Sequence, residues 1–208
     1  MKITSQSFST GEPIAAEFAM GQPAGAGFGF APNRNPQLAF TDVPAAARSL
    51  VLLCVDPDVP TVAEMVGKAG VEIPVDQPRC DFVHWLMIDI PPACREISAG
   101  SCSDGVTVRG KHDPAGPVGA RQGLNDYTGW FAGDADMAGD YLGYDGPFPP
   151  PNDLRLHRYF FRLFALDIAK LPVPARFTAA DVQQAMKGHV LAEAATWGSY
   201  ALHPGVRR

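Results

Sequence analysis

The chain has 208 residues, 46% of them apolar, and a formal net charge of −5. That length and apolar share support one sizeable core and exclude a disordered polymer, which would be poorer in apolar residues and carry more net charge. With 17 basic against 22 acidic residues and no basic cluster beyond the terminal Arg207-Arg208, no extended nucleic-acid or anionic-membrane surface is expected, so any phosphate recognition must be local.

In chain order, the first eight residues, Met1 to Phe8, have no apolar signal-like core. No apolar run approaches the roughly 20 residues needed to cross a bilayer, so an integral membrane segment is not expected and a cytoplasmic location is. Residues 21–36 read as a loop rich in glycine, proline and asparagine. Gly25, Gly27 and Gly29 neither follow a clear strand nor open a helix, so they do not read as a dinucleotide site. Ser49-Leu50-Val51-Leu52-Leu53-Cys54-Val55 is a short apolar run, read as a buried strand that stops in an acidic turn at Asp56-Pro57-Asp58-Val59-Pro60, where proline makes ladder pairing difficult. Residues 61–79 are longer than a turn requires, with a helical turn or two expected near 62–68, and form a candidate lid over whatever lies beyond Asp58.

Phe82-Val83-His84-Trp85-Leu86-Met87-Ile88-Asp89-Ile90 reads as a second buried strand. Simple alternation puts His84 on one face with Phe82, Leu86 and Ile88. Residues 110–143 lack periodicity and read as a packed loop, with Lys111, His112 and Arg121 offering positive charge. Within it, residues 133–140 are acidic but lack the EF-hand spacing, so a solvated loop is expected there rather than a calcium site.

Gly143-Tyr144-Asp145-Gly146-Pro147-Phe148-Pro149-Pro150 is a stiff loop, because proline fixes φ and removes a backbone donor. His157-Arg158-Tyr159 follows it and opens a strand whose alternation sets His157 and Tyr159 on one side with Phe161, Leu163 and Ala165. Thr178-Ala179-Ala180-Asp181 is a helix start, with Val182, Ala185, Met186, His189 and Val190 on one helical face and His189 read as structural. Residues 197–202 read as a short final strand or tail. Cys54, Cys80, Cys94 and Cys102 show no metal-ligand spacing and are expected to be free, Cys54 in the core.

Taken together, Val43-Pro44, the Asp56-Pro57-Asp58-Val59-Pro60 segment, His84-Trp85, Asp89-Ile90-Pro91, Gly123-Leu124-Asn125-Asp126-Tyr127, the Gly-Pro-Phe-Pro-Pro loop and His157-Arg158-Tyr159 resemble the phosphatidylethanolamine-binding protein family, also called Raf kinase inhibitor-like proteins, and its bacterial branch in particular. The resemblance covers most of the chain and implies a single domain over residues 1–208, mainly β. Its form would be an antiparallel Greek-key β-sandwich with a few short peripheral helices and a shallow anion-binding pocket. By position the pocket residues are Asp56, Asp58, His84, Gly146, Pro149, Pro150, His157 and Tyr159. The chain departs from the family pattern with Asn35 where serine is usual, Phe40 where tryptophan is, and Phe148 where bacterial members often have cysteine.

Two imidazoles with a tyrosine hydroxyl could donate to a phosphate or carboxylate, with Asp56 orienting an imidazole. Two or three such contacts at roughly 1.5–3 kcal/mol each, against an association cost of at least about 4, limit a bare phosphate to micromolar or millimolar affinity. The expected activity is therefore binding of a small anionic ligand, a phosphorylated or carboxylated head group. No catalytic residues or cofactors are expected, and the resemblance implies modulation of a partner kinase or protease and allows a homodimer. The alternative is a metal-dependent enzyme with Asp56, His84 and His157 as a two-histidine, one-carboxylate site.

Overall fold

The run from Ser49 to Val55 is apolar on both faces because the strand it forms lies in the middle of a sheet and is covered on both sides. The computed structural model describes residues 1–25 and 27–206; Arg207-Arg208 lies outside the described residues. Its elements are β1 (Lys2–Thr4), β2 (Gly21–Ala24), β3 (Gly27–Phe30), β4 (Leu38–Thr41), β5 (Ser49–Pro60), β6 (Arg79–Ile90), β7 (Glu96–Ile97), β8 (Arg121–Gln122), α1 (Tyr127–Trp130), β9 (His157–Leu166), α2 (Ala179–Ala185) and β10 (Val190–Tyr200). The large sheet has the order β10-β9-β5-β6-β8, a small sheet has the order β1-β4-β7, and every pairing in them is antiparallel.

The two sheets face each other across one core. Ile3, Leu38, Phe40 and Ile97 of the small sheet meet Leu52, Trp85, Phe161 and Leu163 of the large one. On its other face the large sheet buries Val51, Leu53, Leu86 and Phe164 against Phe177, Val182 and Met186. The molecule is thus an antiparallel β-sandwich with short peripheral helices. Among the described residues no helix is long and apolar enough to cross a membrane, and all four cysteines are free, Cys54 buried.

Several sequence expectations change. The first strand does not stop at Asp56 but runs to Pro60. Its register against β6 slips between Asp56 and Val59, which takes Pro57 out of the ladder, and Pro60 pairs only at the sheet end. Residues 21–36 contain the β2-β3 hairpin, and residues 110–143 contain β8 and α1. α2 starts at Thr178 as expected, its cap a reciprocal Thr178–Asp181 capping box, but it ends at Ala185, and the chain turns at Gly188 with a φ of 81°. Val190 therefore starts the long strand β10 and is 45% exposed rather than on a buried helical face.

The change that matters most for the site is in β6. Cys54 pairs with Trp85 but Val55 pairs with Val83, so His84 is the extra residue of a β-bulge. A bulge reverses the alternation. Val83, Leu86 and Ile88 face the helix side, whereas the His84 ring lies against Tyr159 of the opposite face, with ring centroids 5.1 Å apart.

Candidate functional site

Beyond the bulge the sandwich opens into a cavity of ≈ 280 Å³. Phe82, Tyr127, Trp130, Phe131 and Phe148 form its walls, Pro149 to Pro151 its rim, and Asp56, His84, His157 and Tyr159 are its polar groups. Val66, in the 61–79 segment, also reaches it. Of the eight residues expected from sequence, Asp58 and Gly146 lie behind the wall rather than on it. Gly146 is packed where a Cβ would fall 2.2 Å from the Phe18 carbonyl, and its N–H donates to Asn33 Oδ1 at 2.8 Å.

The floor is a closed chain of ion pairs. His157 opens β9, fully buried, with Nδ1 2.6 Å from Asp56 Oδ2 and Nε2 3.1 Å from Asp153 Oδ2. Ionised carboxylates only accept, so both ring nitrogens carry protons and the ring is an imidazolium. Burial works against that charge, but the Asp56 charge and the hydrogen bonds that His157 donates to Asp153 and Asp56 outweigh it and push the pKa up to about 9. Arg79 completes the chain with a forked contact to Asp153, at 2.5 and 3.1 Å.

Asp58 is braced beside this floor. Its backbone N–H donates to Asp56 Oδ1 at 2.8 Å, and its carboxylate accepts from Arg155 Nε at 2.7 Å and from Arg158 Nε and Nη2 at 2.8 and 2.9 Å. Burial alone would raise its pKa, but the two guanidiniums hold it below the usual value.

The wall histidine is arranged differently. His84 Nδ1 is 2.8 Å from the Asp145 carbonyl oxygen, and the Asp145 N–H returns a bond to the His84 carbonyl at 3.0 Å. A carbonyl can only accept, so Nδ1 bears the proton and Nε2, without a hydrogen-bond partner among the described residues, presents a lone pair. Burial keeps the His84 pKa below its ordinary value even against the pull of Asp56, Asp126 and Asp145. The Asp145 carboxylate is held by Lys111 Nζ at 2.7 Å, Asn33 Nδ2 at 2.8 Å and Asn125 Nδ2 at 2.9 Å, which makes the loop carrying it rigid.

Tyr159 is the remaining polar group. Its hydroxyl is buried and has no protein partner of hydrogen-bonding geometry among the described residues, although Asp56 is close enough to add to burial in pushing its pKa well above the ordinary value.

The expectation that two imidazoles donate to a ligand is corrected by this geometry. His157 spends both N–H groups on carboxylates, and His84 spends its one on a carbonyl. The same geometry leaves His157 no lone pair for a metal, and no cluster of three or more His, Cys, Asp or Glu placed to hold one occurs among the described residues. Sequence reasoning missed Asp153 and Arg79, as well as the aromatic wall from Tyr127 to Phe131. Asp153 did carry a signal, four residues before His157 in a turn, but only the tertiary fold brings Arg79 to it.

The model for the phosphatidylethanolamine-binding protein family matches residues 4–201. The chain belongs to this family. It is 31% identical over 200 residues to a UPF0098 protein of Chlamydia trachomatis, covering 96% of this chain and 98% of that one, and 34% identical over 168 residues to a UPF0098 protein of Methanothermobacter thermautotrophicus, covering 81% and 83%. Among solved structures it is similar to a phosphatidylethanolamine-binding protein homologue from Chlamydia trachomatis, at 30% identity and TM-score 0.64 over 96% of this chain and 95% of that one. It is also similar to Escherichia coli YbcL, at 25% identity and TM-score 0.69 over 96% and 97%. The cavity at the His84 bulge is thus set in a phosphatidylethanolamine-binding-protein-type ligand-binding fold.

Proposed function

We propose that the cavity binds a small ligand through a phosphorylated or carboxylated head group, that the protein performs no chemistry on it, and that occupancy modulates a partner kinase or protease. The observation that carries the ligand part is the Tyr159 hydroxyl, fully buried at the cavity and without a partner of hydrogen-bonding geometry among the described residues. A buried polar group left unpaired costs about 1–3 kcal/mol, a cost that a ligand oxygen would relieve. The aromatic and proline lining supports a head group attached to an apolar portion rather than a bare ion. The charged groups of the floor are paired with one another, His157 with Asp56 and Asp153 and Arg79 with Asp153, which supports binding without chemistry.

A phosphorus-NMR titration with phosphate and phosphoethanolamine, run on wild type and on Tyr159→Phe, tests the reading. Line broadening with wild type and about tenfold weaker binding by the variant are expected, the size of one hydrogen bond to an ionised group. Identical titrations of the two proteins would contradict it. The partner part is tested by capture of a kinase or protease that phosphoethanolamine releases. Capture indifferent to the ligand would separate the two activities.

A further inference from the structure

Taking the anion-binding reading as its base, the cavity's donors and acceptors narrow the ligand further. Prolines at 147, 149, 150 and 151 remove four backbone N–H groups from the rim, so the loop that a ligand must pass offers mainly carbonyls. Tyr127, on α1, donates its hydroxyl to the Gly146 carbonyl at 2.9 Å and is not free for a ligand. Both His157 protons are committed to Asp56 and Asp153. His84 Nε2 is a lone pair, and each Asp56 oxygen keeps acceptor capacity beyond its one bond, to Asp58 N–H or to His157. The polar face of the cavity therefore holds one unengaged hydroxyl donor, on Tyr159, beside two acceptors, His84 and Asp56.

A fully ionised oxyanion brings only acceptors, and against this face it would set lone pair against lone pair and carboxylate against anion. A singly protonated phosphate monoester brings both. One of its oxygens accepts from Tyr159, and its P–OH donates to His84 Nε2 or to Asp56. We propose that the site is selective for oxyanions that carry a transferable proton, the hydrogen-phosphate monoester class, over permanently ionised ones such as sulfate esters, with His84 and Asp56 as the residues that read the proton. Whether that proton ends on the ligand oxygen or on His84 Nε2, the complex holds one more than the dianion and the free site together.

The charged surroundings agree. Asp56 on β5, Asp126 beside α1 and Asp145 on the proline-rich loop all face His84, while the positive charges, His157 on β9 and Lys111 on Asp145, are each already paired with a carboxylate. Among the described residues no unpaired cation borders the cavity's polar end to receive a second negative charge.

The test compares methyl phosphate with methyl sulfate, near-isosteric ligands, by isothermal titration of the wild-type protein from pH 5.5 to 8.5. Methyl phosphate should bind at least tenfold more tightly than methyl sulfate at pH 6. Its affinity should then fall about tenfold per pH unit above its second pKa near 6, as the monoanion disappears. Asp56→Asn, verified as folded, replaces an acceptor with an amide donor and should bring the phosphate-to-sulfate ratio toward one; the wild-type comparison stands whether or not that variant folds. Equal affinities at pH 6, or methyl phosphate binding tighter at pH 8 than at pH 6, would overturn the selectivity while leaving the anion-binding reading intact. Binding of neither ligand would overturn both.

Discussion

At the floor of the cavity a histidine is clamped between two carboxylates and stays charged, whereas at the wall of the same cavity another is held by a single carbonyl and stays neutral. The two residues have the same chemistry, and burial lowers the proton affinity of both. The difference lies in what each N–H meets. His157 finds ionised acceptors on both sides, which restore its proton, and His84 finds a dipole on one side and open cavity on the other. His157 is accordingly structural and His84 available to a ligand, although both histidines line the same space.

Removing a carboxylate from the floor should break this contrast most severely. Asp56→Ala leaves the His157 imidazolium buried with half its partners, and loss of one member of such a pair costs about 3–5 kcal/mol, to be read from urea-unfolding midpoints. A loss below about 1 kcal/mol would mean that the clamp is not charged.

Raising the pH probes the same clamp without mutation. The folded pKa of His157, about 9, lies above its ordinary 6.5, so its contribution is complete below pH 6.5 and is lost as pH rises through 9. That loss is on the order of 3 kcal/mol. Asp58 and Asp153 have the opposite sign. Held below the ordinary carboxylate value of 3.8, they contribute above it and lose that contribution as pH falls through their lowered pKa values. Thermal melts should therefore show the floor at its strongest between about pH 4 and 6.5, with decline on the alkaline side that Asp56→Ala reduces, Asp153 remaining as a partner of His157.

The wall should respond with the other sign. Tyr159→Phe removes a hydroxyl that has no partner of hydrogen-bonding geometry among the described residues, so stability should rise by about 1 kcal/mol even as phosphate affinity falls. A variant that lost both would place Tyr159 with the floor. The smallest effect is expected of Arg155→Ala. Arg155 is partly exposed and Arg158 keeps three bonds to Asp58, two from its guanidinium and one from its backbone N–H, so the loss should be about 1 kcal/mol or less in the same urea assay.

How far sequence alone could reach differs between the same two regions. Along β9 the register with β5 is unbroken, so alternation correctly sets His157 and Tyr159 on the core face with Phe161, Leu163 and Ala165. Along β6 the register with β5 slips three times, and each slip changes which residues share a face. His84 is the residue inserted at one of them, so alternation puts it with Leu86 and Ile88 when it faces Tyr159. The strands themselves were legible from their apolar runs. Their extension through Pro57 and Pro60, and the hairpin within residues 21–36, were hidden by prolines and glycines that normally end strands. Asp153 and Arg79 escaped notice because a carboxylate in a turn and a guanidinium 74 residues away have no pattern in common until the chain is folded.

The proton inventory of the two histidines can be read directly by two-dimensional ¹⁵N NMR of the imidazole nitrogens at pH 7.5. The geometry predicts that both nitrogens of His157 are protonated and that His84 is neutral, with its proton on Nδ1 and Nε2 bare. A neutral His157, or a His84 proton on Nε2, would contradict the division of the cavity into a charged floor and a ligand-accepting wall.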